Sequence, residues 1–250
     1  MVSLKRNPKD RFWEIDCLRG IAIIGMILFH FFFDLDYFKA YSLGADWKFW
    51  WLFPRAIAGT FILLVGISLT ISYNRTRMQK SGKALYRKYL ARGMRIFSLG
   101  LLITLVTWIF LPGGTILFGI LQFIGVSIIL SFLLVEHPKM ALILSLALVS
   151  AGAYLQNFTF NFPWLLWLGF PPSDFYTFDY FPLLPWLGVT FLGIFLGNLF
   201  YPRGTRRFKI KEGYNFFLAK NLCFLGRHSL IAYLVHQPML ILVLWTLGVL

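Results

Sequence analysis

Charge is scarce in this sequence: Asp, Glu, Lys and Arg make up only 14% of the 250 residues, against 58% hydrophobic and 19% aromatic. Several stretches near twenty residues long hold almost none, which excludes a soluble globule and predicts a polytopic helical membrane protein. Cysteine is also rare. Cys17 and Cys223 have no metal-ligand spacing and form no disulfide framework, so both read as packing residues. The four histidines include no helical His pair and no HExxH motif, and a metal site is not expected. No internal repeat or low-complexity segment is evident. The N-terminus, with Lys5, Arg6, Lys9 and Arg11, could pass for a signal peptide, but no small-residue cleavage site follows the first apolar run and that run holds Arg19 and His30, so it is expected to be retained as a helix.

What charge there is has a pattern. Hydrophobic runs predict an all-α bundle of about seven transmembrane helices, near 15–33, 50–73, 96–110, 114–135, 140–156, 180–200 and 222–247. With the N-terminus cytoplasmic and the C-terminus extracytoplasmic, all but three of the 24 Lys and Arg (Lys39, Lys48 and Arg55) fall on the inner side. The net charge of +14 therefore follows topology, and nucleic acid is not an expected partner. The expected organisation is a cytoplasmic segment, 1–14, and a single transmembrane domain, 15–250.

The first span breaks the apolar rule. Asp16, Arg19, His30 and Asp34 lie in it, and at about 100° per residue all four share one stripe, with Arg19 and His30 about 16 Å apart along the axis. A polar stripe on a spanning helix faces a bundle interior or a wet cavity and marks a candidate site. His30 has the chemistry of a general base, and Asp34, one turn on, could orient its imidazole. The competing reading of the pair is a structural polar contact at the helix end. His236, deep in the last span, needs a partner of its own.

Two inner basic clusters stand out, one over 74–95, with a helical second half, and one formed by Arg203, Arg206, Arg207, Lys209, Lys211, Lys220 and Arg227. Topology and lipid head groups account for them as well as a polyanionic ligand does. The segment 157–179 is aromatic, has no Lys or Arg, and carries Asn157, Asn161, Asp174 and Asp179. Its prolines 163, 171 and 172 exclude one regular helix. It reads as an extracytoplasmic cap suited to stacking on a sugar, or as an interfacial aromatic belt. Gly188, Gly193 and Gly197 in the sixth span allow close helix contact.

Three motifs in order then make a resemblance: Asp16-x-x-Arg19-Gly20 with His30 eleven positions after Arg19, Asp-Tyr-Phe-Pro-Leu-Leu-Pro-Trp at 179–186, and Gly-Arg-His-Ser-Leu-x-x-Tyr-Leu-Val-His-Gln-Pro at 226–238. From about residue 10 onward the chain resembles the catalytic domain of heparan-α-glucosaminide N-acetyltransferase and its prokaryotic relatives. The Arg19-to-His30 spacing is also similar to that of the membrane acyltransferases that O-acetylate bacterial surface polysaccharides. The resemblance implies a cell-membrane enzyme that moves acetyl from cytoplasmic acetyl-CoA to a sugar or glycoconjugate outside. It puts the catalytic role on His30 and a donor-facing role on Arg19. The lysosomal enzyme carries its histidine in the first extracytoplasmic loop, where 37–46 of this chain has none, and this favours the bacterial pattern.

On that basis the expected catalytic residues are His30, Asp34 and Arg19. Coenzyme A phosphates are expected at some of Arg19, Arg75, Arg77, Arg87, Lys88, Arg92, Arg95 and Arg206, and the acceptor at Asp179, Trp186, His236 and Gln237. Membrane lipid is an expected partner, as is a second copy in a homodimer. A small transporter or channel with a charged pathway, and a lipid-binding membrane subunit, are the competing functions. The lack of paired interrupted helices weighs against transport.

Overall fold

The computed structural model describes residues 11–41, 44, 46–160, 162–210 and 217–249, and these are helical with no β-sheet. Lys5, Arg6, Lys9, Asn161 and Lys211 lie outside the described residues. Eight α-helices occur among those described: α1 (Trp13–Tyr37), α2 (Trp47–Arg77), α3 (Gly82–Phe110), α4 (Ile120–Ser131), α5 (Pro138–Leu155), α6 (Leu183–Phe200), α7 (Phe217–Arg227) and α8 (Ser229–Thr246). Six of them, all but α4 and α7, are long and apolar enough to cross a membrane. The chain is a multi-pass integral membrane protein.

Three boundaries differ from the hydropathy reading, each for a local reason. The fourth apolar run was expected from residue 114, but Pro112–Gly114 form a 3₁₀ turn and helix begins only at Ile120. With the 3₁₀ turn that continues it to Leu134, α4 reaches about 22 Å, short of the roughly 30 Å hydrocarbon core. The last run divides at His228 into α7 and α8. The basic helix expected near 85–94 is not separate, being the first part of a 29-residue α3.

The fold divides into two compact units, residues 1–61 with 210–250, and residues 62–209. In the first, α7 and α8 both pack on α1. The polar stripe of α1 faces inward, since Asp16 and Asp34 are buried while Leu18, Ile21, Ile24 and Leu28 on other faces are exposed. The start of α2 adds an aromatic wall, in which Trp50 and Phe53 pack on Phe29.

The second unit is held by small residues and one buried amide. α3 and α4 approach so closely that a Cβ on Gly93 would lie 2.7 Å from Gly125 O, and one on Gly125 2.7 Å from Phe97 N. Gln122, 2% exposed, joins them: Nε2 donates to Gly100 O (3.0 Å) and Thr104 Oγ1 (2.7 Å), and Oε1 accepts from Gly119 N (3.1 Å). The glycines of α6 behave as their spacing predicts. Gly188 lies against Ser145 O of α5, and Gly193 and Gly197 against Leu63 O and Thr70 of α2. The aromatic segment before α6 is irregular, with a single 3₁₀ turn, Leu166–Leu168, among its described residues. It is tied down by Tyr180 Oη donating to Leu166 O (2.7 Å) and Thr177 Oγ1 donating to Thr115 O (2.8 Å).

Candidate active site

The N-terminal part of α1 forms an interlocked joint with α7. Cβ atoms on Gly20 and Gly226 would overlap Leu222 O and Asp16 O, so the two backbones meet directly. Asp16, 5% exposed, lies beside the joint with Oδ1 3.6 Å from Arg19 Nη1 and Oδ2 3.9 Å from Arg227 Nε. Arg227 Nε also donates to Cys223 O (3.2 Å), and Cys223 Sγ donates to Trp13 O (3.2 Å). Burial pushes the Cys223 thiol up, keeping it a neutral donor. Asp16, Arg19 and Gly20 of the first motif and Gly226 and Arg227 of the third are thus one structural device. Sequence reading assigned Arg19 to the donor but missed this buried pairing, although the i, i+3 spacing of Asp16 and Arg19 was a signal for it.

Further along α1, about three turns away, the ring of His30 meets the ring of His236 from α8, with centroids 4.7 Å apart and planes at 70°. His30 Nδ1 donates to Met26 O (2.9 Å) and His236 Nδ1 to Tyr233 O (2.6 Å). A carbonyl only accepts, so Nδ1 carries the proton in both rings and Nε2 presents a lone pair. Asp34 does not orient His30 as expected. Its Oδ1 accepts instead from Gln237 Nε2 at 2.8 Å, and the Met26 carbonyl fixes the imidazole. Among the described residues, Asp34 Oδ2, Gln237 Oε1 and His236 Nε2 are buried without a hydrogen-bond partner. Three such acceptor atoms on neighbouring residues make this the candidate site of the first unit. His236 is also the polar member of an open, otherwise apolar groove of about 260 Å³ between α1 and α8, lined by Ile27, Val235, Met239, Leu240 and Val243.

The other expected residues belong to the second unit. Asp179 Oδ2 accepts from Ile120 N (2.9 Å) and so caps α4, a structural task its sequence position did not reveal. Trp186 packs on Phe181 at 5.0 Å. The basic residues have different surroundings. Arg75 donates twice to Gly204 O (3.4 Å each), and Arg77 pairs with Glu136. Lys88 bonds Thr76 Oγ1 and lies over the Tyr89 ring, while Arg206 lies over Phe208. Arg87 and Arg95 are exposed. Arg92 is half-buried, and among the described residues its guanidinium makes no hydrogen bond or ion pair. No group of three His, Cys, Asp or Glu with metal-binding geometry occurs among the described residues.

Fold and site together define a polytopic helical membrane protein with an intramembrane pair of histidines beside a buried carboxylate. The family pattern for heparan-alpha-glucosaminide N-acetyltransferase, catalytic, matches residues 11–238, which run through both units. The chain belongs to that acetyltransferase catalytic-domain family. Comparison with curated proteins and with solved structures finds no match.

Proposed function

We propose that this protein is a cell-membrane acetyltransferase that takes acetyl from cytoplasmic acetyl-CoA and passes it to a hydroxyl or amine of a sugar or glycoconjugate on the extracytoplasmic side. Residues 15–250 act as one catalytic domain with the N-terminus inside, as the distribution of Lys and Arg favours, and the C-terminus outside, α4 with its 3₁₀ extension making a short seventh crossing through a locally thinned bilayer. His30 is the general base. The observation that carries this role is its fixed tautomer: with Nδ1 donating to Met26 O, Nε2 is left as a base on the inward face of α1. Asp34 serves the same site, its carboxylate held by Gln237, and Gln237 and His236 meet the acceptor.

Donor phosphates are drawn to the basic residues, and Arg92 is the first choice among them because a half-buried guanidinium without a partner gains most from an anion. Arg19 lines the donor's path, with Asp16 balancing its charge. The acyl transfer consumes one thioester and releases CoA thiol. Purified protein in detergent, given acetyl-CoA, should therefore release thiol. His30→Ala should slow that release by about 10² to 10⁴, the usual contribution of a positioned base, while still binding acetyl-CoA. Wild-type turnover in His30→Ala would remove His30 from the role.

A further inference from the structure

The first turns of α2 carry a stripe that acetyl transfer does not use. From Lys48 to Arg55 the helix falls about 20° short of two full turns, so the two cations share one face with about 10 Å between them along the axis. Trp51, Leu52 and Ala56 lie on the same face, and all of these residues are exposed. The opposite face is packed, with Trp50 and Phe53 against Phe29. Arg55 is held in place: Nη1 donates to Trp51 O (2.9 Å), and the guanidinium lies over the Trp51 ring, 4.4 Å from its centroid. Neither Lys48 nor Arg55 has an anionic partner among the described residues. Asp46, the acidic residue nearest in sequence, serves the helix start instead, its Oδ1 accepting from Phe49 N (3.0 Å).

Depth in the membrane identifies what this face meets. Residues 56–74 carry no charge, and from Arg55 to Arg75 α2 rises about 30 Å, the thickness of the hydrocarbon core. With Arg75 at the inner boundary, Arg55 sits at the level of the outer lipid phosphates, and Trp47, Lys48 and Trp51 lie in the headgroup layer. The bond to Trp51 O, one turn nearer the outer end, draws the guanidinium toward that layer and away from the acyl chains. We infer that Arg55, Trp51 and Lys48 form a binding site for the phosphate of an anionic glycerophospholipid in the outer leaflet. The uncommitted N–H groups of the guanidinium match phosphate oxygens. Lys48 adds a second positive charge, which a headgroup of net negative charge satisfies and a zwitterionic one opposes with its own cation. Ala56, deeper on the same face, meets the acyl chains. Since Trp50 and Phe53 back these turns onto Phe29, whose ring is 5.4 Å from that of His30, a lipid held here steadies the aromatic wall beside the candidate site.

The test uses the full-length protein in nanodiscs of phosphatidylcholine, with two probes that carry the same diazirine-labelled acyl chain and differ in headgroup, one phosphatidylglycerol and one phosphatidylcholine. Adducts are mapped by peptide mass spectrometry. On residues 47–61 the wild type should favour the phosphatidylglycerol probe about twentyfold, since each cation near the headgroups favours an anionic lipid by about fivefold, and added salt should shrink the preference. Arg55→Gln alone should lower it about fivefold, and Lys48→Gln with Arg55→Gln should bring the two probes close to equal there. Adducts elsewhere on the chain should keep the wild-type pattern, which reports that the variants are folded. Lys39→Gln, which removes an outer cation beyond the end of α1, should leave the preference intact. Equal labelling by the two probes in the wild type, a preference that survives the double substitution, or an equal fall in Lys39→Gln overturns the inference and leaves the stripe an interfacial belt. No acetyl-CoA is present, so the result is independent of the proposed transfer.

Discussion

Replacing Asp16 by Asn probes whether the joint between α1 and α7 depends on its buried charge. The carboxylate is 5% exposed and serves two cations, at 3.6 Å and 3.9 Å. At an effective dielectric near 20, each pair has a gross attraction of about 4 kcal/mol, most of it offset by desolvation. Removing the anion from a fully buried pair costs about 3–5 kcal/mol. The Arg19 and Arg227 side chains remain 22% and 32% exposed, so water screens part of the loss. The expected destabilisation of Asp16→Asn is therefore about 2 kcal/mol. Gly20 and Gly226 hold the backbones in direct contact, so α7 cannot move closer to compensate.

Reversible unfolding in mixed micelles measures the loss, and the same substitution in an Arg227→Met background should cost about half as much, because one of the two pairings is already gone. A loss below about 0.5 kcal/mol, or full additivity with Arg227→Met, would refute the buried ion pair as the source of stability. The kinetics separate this from the donor pathway. If Arg19 guides acetyl-CoA, Arg19→Gln raises KM for the donor, whereas Asp16→Asn, which leaves that charge in place, does not.

Two further predictions concern the donor and the orientation. Arg92→Gln should weaken acetyl-CoA binding, measured by titration, more than Arg77→Gln, whose side chain already pairs with Glu136, and the difference should shrink as salt rises. Equal effects of the two substitutions would return the cluster to lipid anchoring. A cysteine at the exposed Ser81, with Cys17 and Cys223 replaced, should react with membrane-impermeant maleimide only from the cytoplasmic side. Labelling from outside would invert the topology.

Much of the architecture was legible because a bilayer leaves few choices. Backbone polar groups in hydrocarbon must be satisfied within the segment, so a long apolar run becomes a helix, as at Trp13–Tyr37 and Leu183–Phe200. Hydropathy is less informative where an apolar run contains its own break. The run from residue 114 carries no charge, yet Pro112–Gly114 and the Gly119–Gln122 cap delay its helix to Ile120. The division at His228 escaped notice for the same reason.

Helical periodicity alone put Asp16, Arg19, His30 and Asp34 on one stripe, since it needs only the 100° step between successive residues of one helix. It could not say what each of them meets. Sequence proximity favoured Asp34 as the partner of His30 at i+4, but the tertiary fold brings Gln237, 203 positions away, to Asp34 and leaves His30 to the Met26 carbonyl. In the same way Asp16 shares its charge with Arg227 as well as Arg19, and Asp179 caps α4 across 59 positions. The sequence by itself determined that this is a membrane bundle with an ionisable stripe on its first helix, because those properties follow from composition and from the geometry of one helix. Only the tertiary structure decided that His30 faces a second imidazole, because a hydrogen bond or ring contact between helices depends on their register, which no spacing within either helix encodes.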